Sequence, residues 1–495
     1  MGRLIELQVI KGDYFKSLSE NNRIKRVVIP APRGLILARG GEILVGNRGY
    51  IRDYPLGEAF GHVSGYLGEV GPGEAGKADP VCFEKGARRL GLLVGRGGLE
   101  EQYNCLLSGV DGEEVIEVDT AGKTVRVLGK IDPTPGGDLK TNIDYQLQIK
   151  TAAAMKEKKG TAILSDPQGE ILALYSSPSF DPELFLPGSD KNTVSKILND
   201  KNLPLFDRAI GGLYHPGSVF KPLVAISALE EGEIDKNFRY EDSGVLSVKT
   251  IYGDFSYSNW YYLQYGKTEG EIGIVRAIAR STDTFFYKLG EMVGVEKLAE
   301  WMGKFGLDGR TGIDLPGEVK NLIPSPEWKL KEKGEKWFLG NTYHLSIGQG
   351  DLVLTPLSLS RIPSVIASGG RLCTPRIVNQ ESFINKDCKD LKIRKENLDL
   401  IKEGMVGACS AGGTGYTFFD WKGGPSASLG TIACKTGTAE TNEDGKTHAW
   451  FTLFAPADFP EIILTVLVEG GGEGSKVAGP IAREIMDFWN LQKHP

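Results

Sequence analysis

Nowhere do the 495 residues offer the roughly 18–20 consecutive apolar positions that a membrane-spanning helix needs. The longest tidy run, Ile462 to Val468, reads as a buried strand. The opening does not read as a signal peptide, because Arg3, Glu6 and Lys11 interrupt it. Histidine is scarce, with five scattered residues and no H-E-x-x-H, so no metal or other cofactor is expected. His215 and His448 lie near candidate motifs but read as packing or rim residues. The six cysteines (82, 105, 373, 388, 409 and 434) form no C-x-x-C and no metal spacing. They read as buried thiols, with a disulfide within one pair left open. An excess of positive charge is missing too. The net charge of −6 gives no basic footprint, which argues against nucleic acid as a partner. No internal repeat is visible. Glycine (65) and proline (25) are plentiful and imply many loops and turns rather than long bundles. The length suggests about two to four domains with ample core.

A serine followed three positions later by a lysine occurs once, in Tyr214-His215-Pro216-Gly217-Ser218-Val219-Phe220-Lys221-Pro222. Pro216 and Gly217 punctuate the chain; Leu223, Val224, Ile226 and Leu229 then recur at helical spacing until Gly232. Ser218 is therefore expected in the first turn of a helix, with Lys221 one turn on and on the same face. A hydroxyl becomes a nucleophile when a base takes its proton, and the positive helix N-terminus favours the resulting alkoxide. Alone, the pattern also describes a helix cap followed by a solvated lysine.

Lys435-Thr436-Gly437-Thr438 is the sole K-T-G. The small apolar stretch Leu429 to Ala433 precedes it, and Ala449 to Phe454 comes after, so the pair predicts a hairpin around a polar loop, Thr441 to Lys446. If Lys435 faces a cleft, Thr436 faces away and Gly437 lines the cleft again without a side chain to obstruct a substrate. Thr438 can offer a backbone N–H to an oxyanion. Cys434 should point into the fold. A plain glycine-containing edge strand would also read this way. Between the two motifs lies Ser281-Thr282-Asp283, after the helical run Ile272–Arg280. S-x-[ND] recurs at Ser19 and Ser179, so only its order and spacing give it weight.

S-x-x-K, S-x-[ND] and K-T-G in this order are the signature of serine β-lactamases and penicillin-binding proteins. Other segments extend the likeness. Pro32-Arg33-Gly34-Leu35-Ile36 with Gly41-Glu42-Ile43-Leu44 resembles R-G-x-I-x-D-R-N-G-x-x-L, and Gly98-Leu99-Glu100 with Tyr103-Asn104 and Leu107-Ser108-Gly109 resembles G-L-E-x-x-Y-x-x-x-L-x-G. Asn142 to Gln148 and Gly348-Gln349-Gly350 with Thr355-Pro356 match further family segments. The whole chain resembles a class B penicillin-binding protein, a peptidoglycan D,D-transpeptidase. Ser281 to Tyr287 and His448 to Phe451 look more like the elongation type, penicillin-binding protein 2. Two departures stand out. Ala38 replaces the usual Asp, which should weaken salt-bridging there, and Asp283 stands where most members carry Asn.

The expected fold is α+β: a serine β-lactamase-like transpeptidase domain with a central antiparallel sheet flanked by helices, after a mostly β pedestal. The Asp132 to Gly137 stretch marks the boundary, giving a pedestal (dimerisation-like) domain at 1–140 and a transpeptidase domain at 141–495. Expected elements are a helix at Tyr145–Lys158, strands at Thr161–Asp166 and Glu170–Tyr175, helices through the middle, strands at 430–470 and a closing helix at Ile481–Leu491.

The resemblance implies acyl transfer. Ser218 attacks a terminal D-Ala-D-Ala bond and an amine of a neighbouring stem peptide resolves the ester. Lys221 is the base, its pKa pushed down by burial and by Lys435. Ser281 relays a proton, Lys435 and Thr436 orient the substrate, and the backbone N–H groups of Ser218 and Thr438 form the oxyanion hole. Asp283 is expected to reach the cleft near Lys221. Expected partners are peptidoglycan stem peptides, β-lactams and a membrane glycosyltransferase of the elongation machinery. The implied site is the extracytoplasmic face of the bacterial membrane. Leu4 to Tyr14, then Leu18 to Arg23, resembles the stretch just after the family's single N-terminal anchor, so that anchor is expected upstream. A D,D-carboxypeptidase, a β-lactamase-like hydrolase and a non-catalytic scaffold are the alternatives.

Overall fold

The computed structural model describes residues 2–13, 23–80, 82–119, 121–251, 253–379, 388–421, 431–441 and 445–493. Tyr14 and Leu18–Asn22 of the opening segment, Leu429 and Gly430, and loop residues 442–444 lie outside that range.

The run Ile462–Val468 is buried along its whole length, and alternation shows why. Ile463 and Leu467 enter one apolar cluster, whereas Ile462, Leu464, Val466 and Val468 enter another. A strand apolar on both faces has to lie inside a sheet covered on both sides. After helix α1 (Tyr145–Ala154), strands β1 (Gly160–Ser165), β2 (Ile171–Ser177), β3 (Ala433–Glu440), β4 (Thr447–Ala455) and β5 (Ile462–Val468) form that sheet. Their order is β2-β1-β5-β4-β3, antiparallel throughout, with K-T-G on the edge strand. One face packs on α2 (Lys221–Glu230), α3 (Ile274–Arg280), α4 (Asp283–Lys304) and α5 (Lys395–Ala408). The other carries α1 and the closing helix α6 (Gly474–Lys493), through Leu147, Ala478, Ile481, Ile485 and Trp489.

Boundary differences have local causes. Helix α1 stops at Ala154 rather than Lys158, and Glu157 takes a left-handed φ of 61°. The β1–β2 hairpin turns at Asp166, whose Oδ1 accepts the N–H groups of Gln168 and Glu170. Helix α6 begins before Pro480 and runs through it, where sequence logic places proline at a helix start. In the middle region an exposed hairpin, Val245–Thr250 with Gly253–Ser258, interrupts the expected helices.

The N-terminal region consists of short strands in small sheets, as expected of a mostly β pedestal, with short helices between them. Its apolar residues Ile36, Leu44, Leu99 and Leu107 share one cluster with Ile163, Ile171, Leu174, Ile210 and Ile377, so the two regions are packed on each other. A buried charge cluster crosses its motifs. Arg33 Nε and Arg52 Nε donate to the two oxygens of Glu100, at 2.5 and 2.7 Å, and Glu100 is fully buried. Arg33 also reaches Asn104 Oδ1, and Arg52 the carbonyl of Gly34. Ala38 is buried in the apolar cluster, so the ion pairs of this segment form without position 38.

The expectation of buried thiols is corrected. All six cysteines are paired, as Cys82–Cys105, Cys373–Cys388 and Cys409–Cys434. The partners are 15 to 25 residues apart, and it is tertiary folding that brings them together. Cys434 does point into the fold, where it ties β3 to the end of α5.

Candidate active site

Ser218 lies in a 3₁₀ turn, Gly217–Phe220, that feeds directly into α2 beginning at Lys221. The turn is tighter than the α-helical one expected, and close packing explains it. Gly217 has φ 57°, its N–H bonds the carbonyl of Gly348, and a Cβ there would sit 2.9 Å from Thr438 O. A Cβ on Gly348 would meet Gly217 O at 2.3 Å. On the other side, a Cβ on Gly437 would lie 3.0 Å from Val219 and 3.1 Å from Trp450. The missing side chain of Gly437 thus makes room for the turn that carries Ser218, a role the sequence did not suggest. Trp450 Nε1 fastens the turn by donating to His215 O, and His215 Nδ1 lies 2.8 Å from Leu352 O. His448 packs its ring edge-on against Tyr214. Both histidines are packing residues.

Lys221, Ser281, Asp283 and Lys435 come from three distant segments and meet inside the protein. Lys221 Nζ donates to Asp283 Oδ1 at 2.6 Å, to Ser281 O at 2.8 Å and to Ser281 Oγ at 3.2 Å. It also lies over the Phe286 ring. Lys435 Nζ donates to the same Ser281 Oγ at 2.8 Å and to Thr436 O at 2.9 Å. Both amines are fully buried. Ser281 Oγ thus accepts from both, and a hydroxyl with two acceptor sites in use still has its own proton to donate.

Ser281 owes this reach to its backbone. It ends α3 in a left-handed conformation, φ 56° and ψ 39°, which a non-glycine residue adopts at a cost. That conformation brings both its carbonyl and its hydroxyl to Lys221 before α4 starts at Asp283. Asp283 is held from its other side. Its Oδ2 accepts the Trp260 N–H at 2.9 Å, and its own N–H donates to Asn259 Oδ1. Asn259 and Trp260 belong to no motif, and nothing in their local sequence marks them as part of a site.

On β3, Thr436 faces away from Lys435, as alternation requires, and its Oγ1 bonds Thr414 Oγ1 at 2.8 Å. Thr438 is exposed and its Oγ1 accepts the Gly474 N–H. A cavity of about 690 Å³ lined by Asp144, Asp166, Glu461 and Trp489 includes none of the motif residues.

Burial is the largest influence on both lysines and lowers both pKa values. At Lys221 the Asp283 carboxylate works against it. Lys435 falls well below the usual lysine range, because it adds repulsion from Lys221 to its burial. Repulsion was expected to act on Lys221. Repulsion between the two ammonium groups is mutual, and it weighs on Lys435 while the Asp283 carboxylate holds the charge on Lys221. The site therefore pairs Lys221 with Asp283 beside a Lys435 amine driven toward its neutral form.

Residues 160–487 match the penicillin binding protein transpeptidase domain, and residues 48–141 match the penicillin-binding protein dimerisation domain. The peptidoglycan D,D-transpeptidase MrdA of Acinetobacter baumannii is 34% identical over 467 residues, covering 89% of this chain and 66% of its own length. MrdA of Escherichia coli K12 is 31% identical, covering 89% and 71%. The chain thus spans about two thirds of the length of these relatives. The structure of Pseudomonas aeruginosa PBP2 in complex with WCK 5153 superposes with a TM-score of 0.80 at 32% identity, covering 94% of this chain and 96% of that one. PBP2 of Helicobacter pylori in complex with MreC gives 0.78 at 26% identity, covering 94% and 99%. The chain belongs to the penicillin-binding protein transpeptidases, in their class B, PBP2-type branch, and is a serine-type peptidoglycan D,D-transpeptidase of cell elongation.

Proposed function

We propose that Ser218 is the nucleophile that cross-links peptidoglycan stem peptides, and that Lys221, Ser281 and Lys435 move its proton. The observation that carries this reading is the convergence of both buried lysines on Ser281 Oγ, with Lys221 one turn along the chain from Ser218. Ser218 Oγ attacks the carbonyl of the terminal D-Ala-D-Ala bond and its proton passes to Lys221. Ser281 passes a proton on to the departing D-Ala amine. The amine of a second stem peptide then opens the ester, forming the new amide, and the proton that amine gives up passes through Lys221 to restore the Ser218 hydroxyl. Lys435 orients the substrate, Thr436 supports the strand from its other face through Thr414, and the N–H groups of Ser218 and Thr438 face the oxyanion. Losing one such donor typically costs about 10²–10³ in rate. β-lactams acylate the same serine.

Residues 1–140 act as the pedestal and 141–495 as the catalytic domain. PBP2 of H. pylori has been seen with MreC, and a further structural neighbour belongs to a peptidoglycan synthase complex that couples polymerisation to cross-linking. A scaffold of that kind and a membrane glycosyltransferase are the partners we assign. The site of action is the extracytoplasmic face of the membrane. Three disulfides favour that oxidising side. Among the described residues, no helix is long and apolar enough to cross a membrane.

Labelling with fluorescent penicillin followed by peptide mapping tests the reading. A stable adduct on Ser218, lost in Ser218→Ala, supports it. Rapid release of the label points to a β-lactamase. No label on folded protein points to a scaffold, and stem-peptide trimming without cross-linking points to a carboxypeptidase.

A further inference from the structure

Asp242 lies outside every motif, yet its side chain is completely buried and accepts four hydrogen bonds. Oδ1 takes the Gly244 N–H at 3.0 Å and the Thr284 hydroxyl at 2.7 Å. Oδ2 takes the Glu269 N–H at 2.9 Å and Asn259 Nδ2 at 3.0 Å. These donors lie at both ends of the excursion that carries the exposed hairpin and on the first turn of α4, next to Asp283. The bond to Asn259 does more than anchor. With Nδ2 committed to Asp242, the amide must turn Oδ1 toward the Asp283 N–H, which it meets at 3.2 Å. The next residue, Trp260, presents its N–H to Asp283 Oδ2. With Oδ2 occupied, Oδ1 is left for Lys221.

We propose that Asp242 is a positioning residue of the acyl-transfer reaction: through Asn259 and Trp260 it fixes the orientation in which Asp283 meets Lys221. The inference rests on Ser218 as nucleophile and Lys221 as base. The charged and titratable groups facing this chain of contacts are Lys221, Lys435 and Asp283, with Tyr287 near Asp283 and Tyr240 near Asp242. Glu269 presents its backbone to Asp242 and its carboxylate to Arg276 and Arg280.

Asp242→Asn tests this. The new amide offers a donor where four donors already converge, so Asn259 loses its fixed orientation. The readout is the second-order rate of Ser218 acylation by labelled penicillin across pH. A misplacement near the reacting groups should lower the plateau about tenfold. The looser Asp283 contact should also move the acidic limb to lower pH, because Lys221 is held less firmly in its protonated form. Asn259→Ala should shift the limb the same way and serves where Asp242→Asn fails to fold. In an Asp283→Asn background the Asp242→Asn change should leave the limb in place, since the two act in series. A purely structural role predicts a lower melting temperature with an unmoved limb. That result, or an equal shift in the Asp283→Asn background, overturns the proposal. Wild-type protein that is never acylated at Ser218 would instead overturn the functional reading beneath it.

Discussion

Two buried clusters of the molecule each gather two basic side chains near one carboxylate, and they differ in the basic residue used. In the N-terminal region Arg33 and Arg52 clasp Glu100. In the catalytic region Lys221 and Lys435 surround Ser281 and Asp283. A guanidinium stays charged and forks its bonds, so Arg33 joins Glu100 Oε2, the Glu100 carbonyl and Asn104 at once. An ammonium is a point charge that burial can strip of its proton, and burial acts that way on both lysines. Fixed charge suits architecture, whereas charge that can be withdrawn suits the proton transfer proposed for the lysines. The contrast lies in the cation chosen rather than in the depth of burial.

The largest effect is expected on the arginine side. Glu100→Ala strands two buried guanidinium groups, and breaking a buried pair in this way costs about 3–5 kcal/mol. A thermal melt should show the loss, while the folded fraction acylates at the wild-type rate. Slower acylation of that fraction would mean the two clusters are not independent. Next in size is the swap of cation type. Lys221→Arg and Lys435→Arg put a permanent charge where a removable one is needed. Acylation by labelled penicillin should fall by about 10²–10⁴, the usual worth of a positioned acid or base. Rates near wild type would break the comparison.

Asp283→Asn gives a smaller effect whose sign is diagnostic. The carboxylate raises the Lys221 pKa against the lowering by burial, so removing it lets that pKa fall further. The base-competent neutral form then persists to lower pH. The acidic limb of the acylation profile should move down, with faster reaction below neutrality, once circular dichroism shows equal folding. A limb that stays in place would show that Asp283 does not tune Lys221. Arg33→Lys is the mildest change. One ammonium cannot reach three acceptors, so about 1 kcal/mol of stability should go. The pH profile should not move.

The chain order of Ser218, Ser281 and Lys435 made much of the site legible in the sequence, and strands such as Ile462–Val468 were legible because β-branched runs permit few alternatives. What escaped was set by contacts between distant segments. The disulfide pairings depend on folding, since no local spacing announces them. Asn259 and Trp260 reach Asp283 through an exposed excursion with no motif of its own. Asp242 closes a local turn onto the Gly244 N–H, but a local turn says nothing of Thr284, 42 residues away. For Gly437 the residue type was noticed and its neighbour was not.

The left-handed backbone at Ser281 also narrows what mutation can try there. Glycine and asparagine enter that conformation readily, but neither offers the hydroxyl that sits between the two lysines. Threonine keeps the hydroxyl, yet its branched Cβ fits poorly at positive φ. The substitutions that chemistry tolerates and those that geometry tolerates therefore do not overlap, leaving serine without a conservative neighbour. Under β-lactam selection, adaptive variation in this protein should arise at the rim of the cleft and pass over position 281.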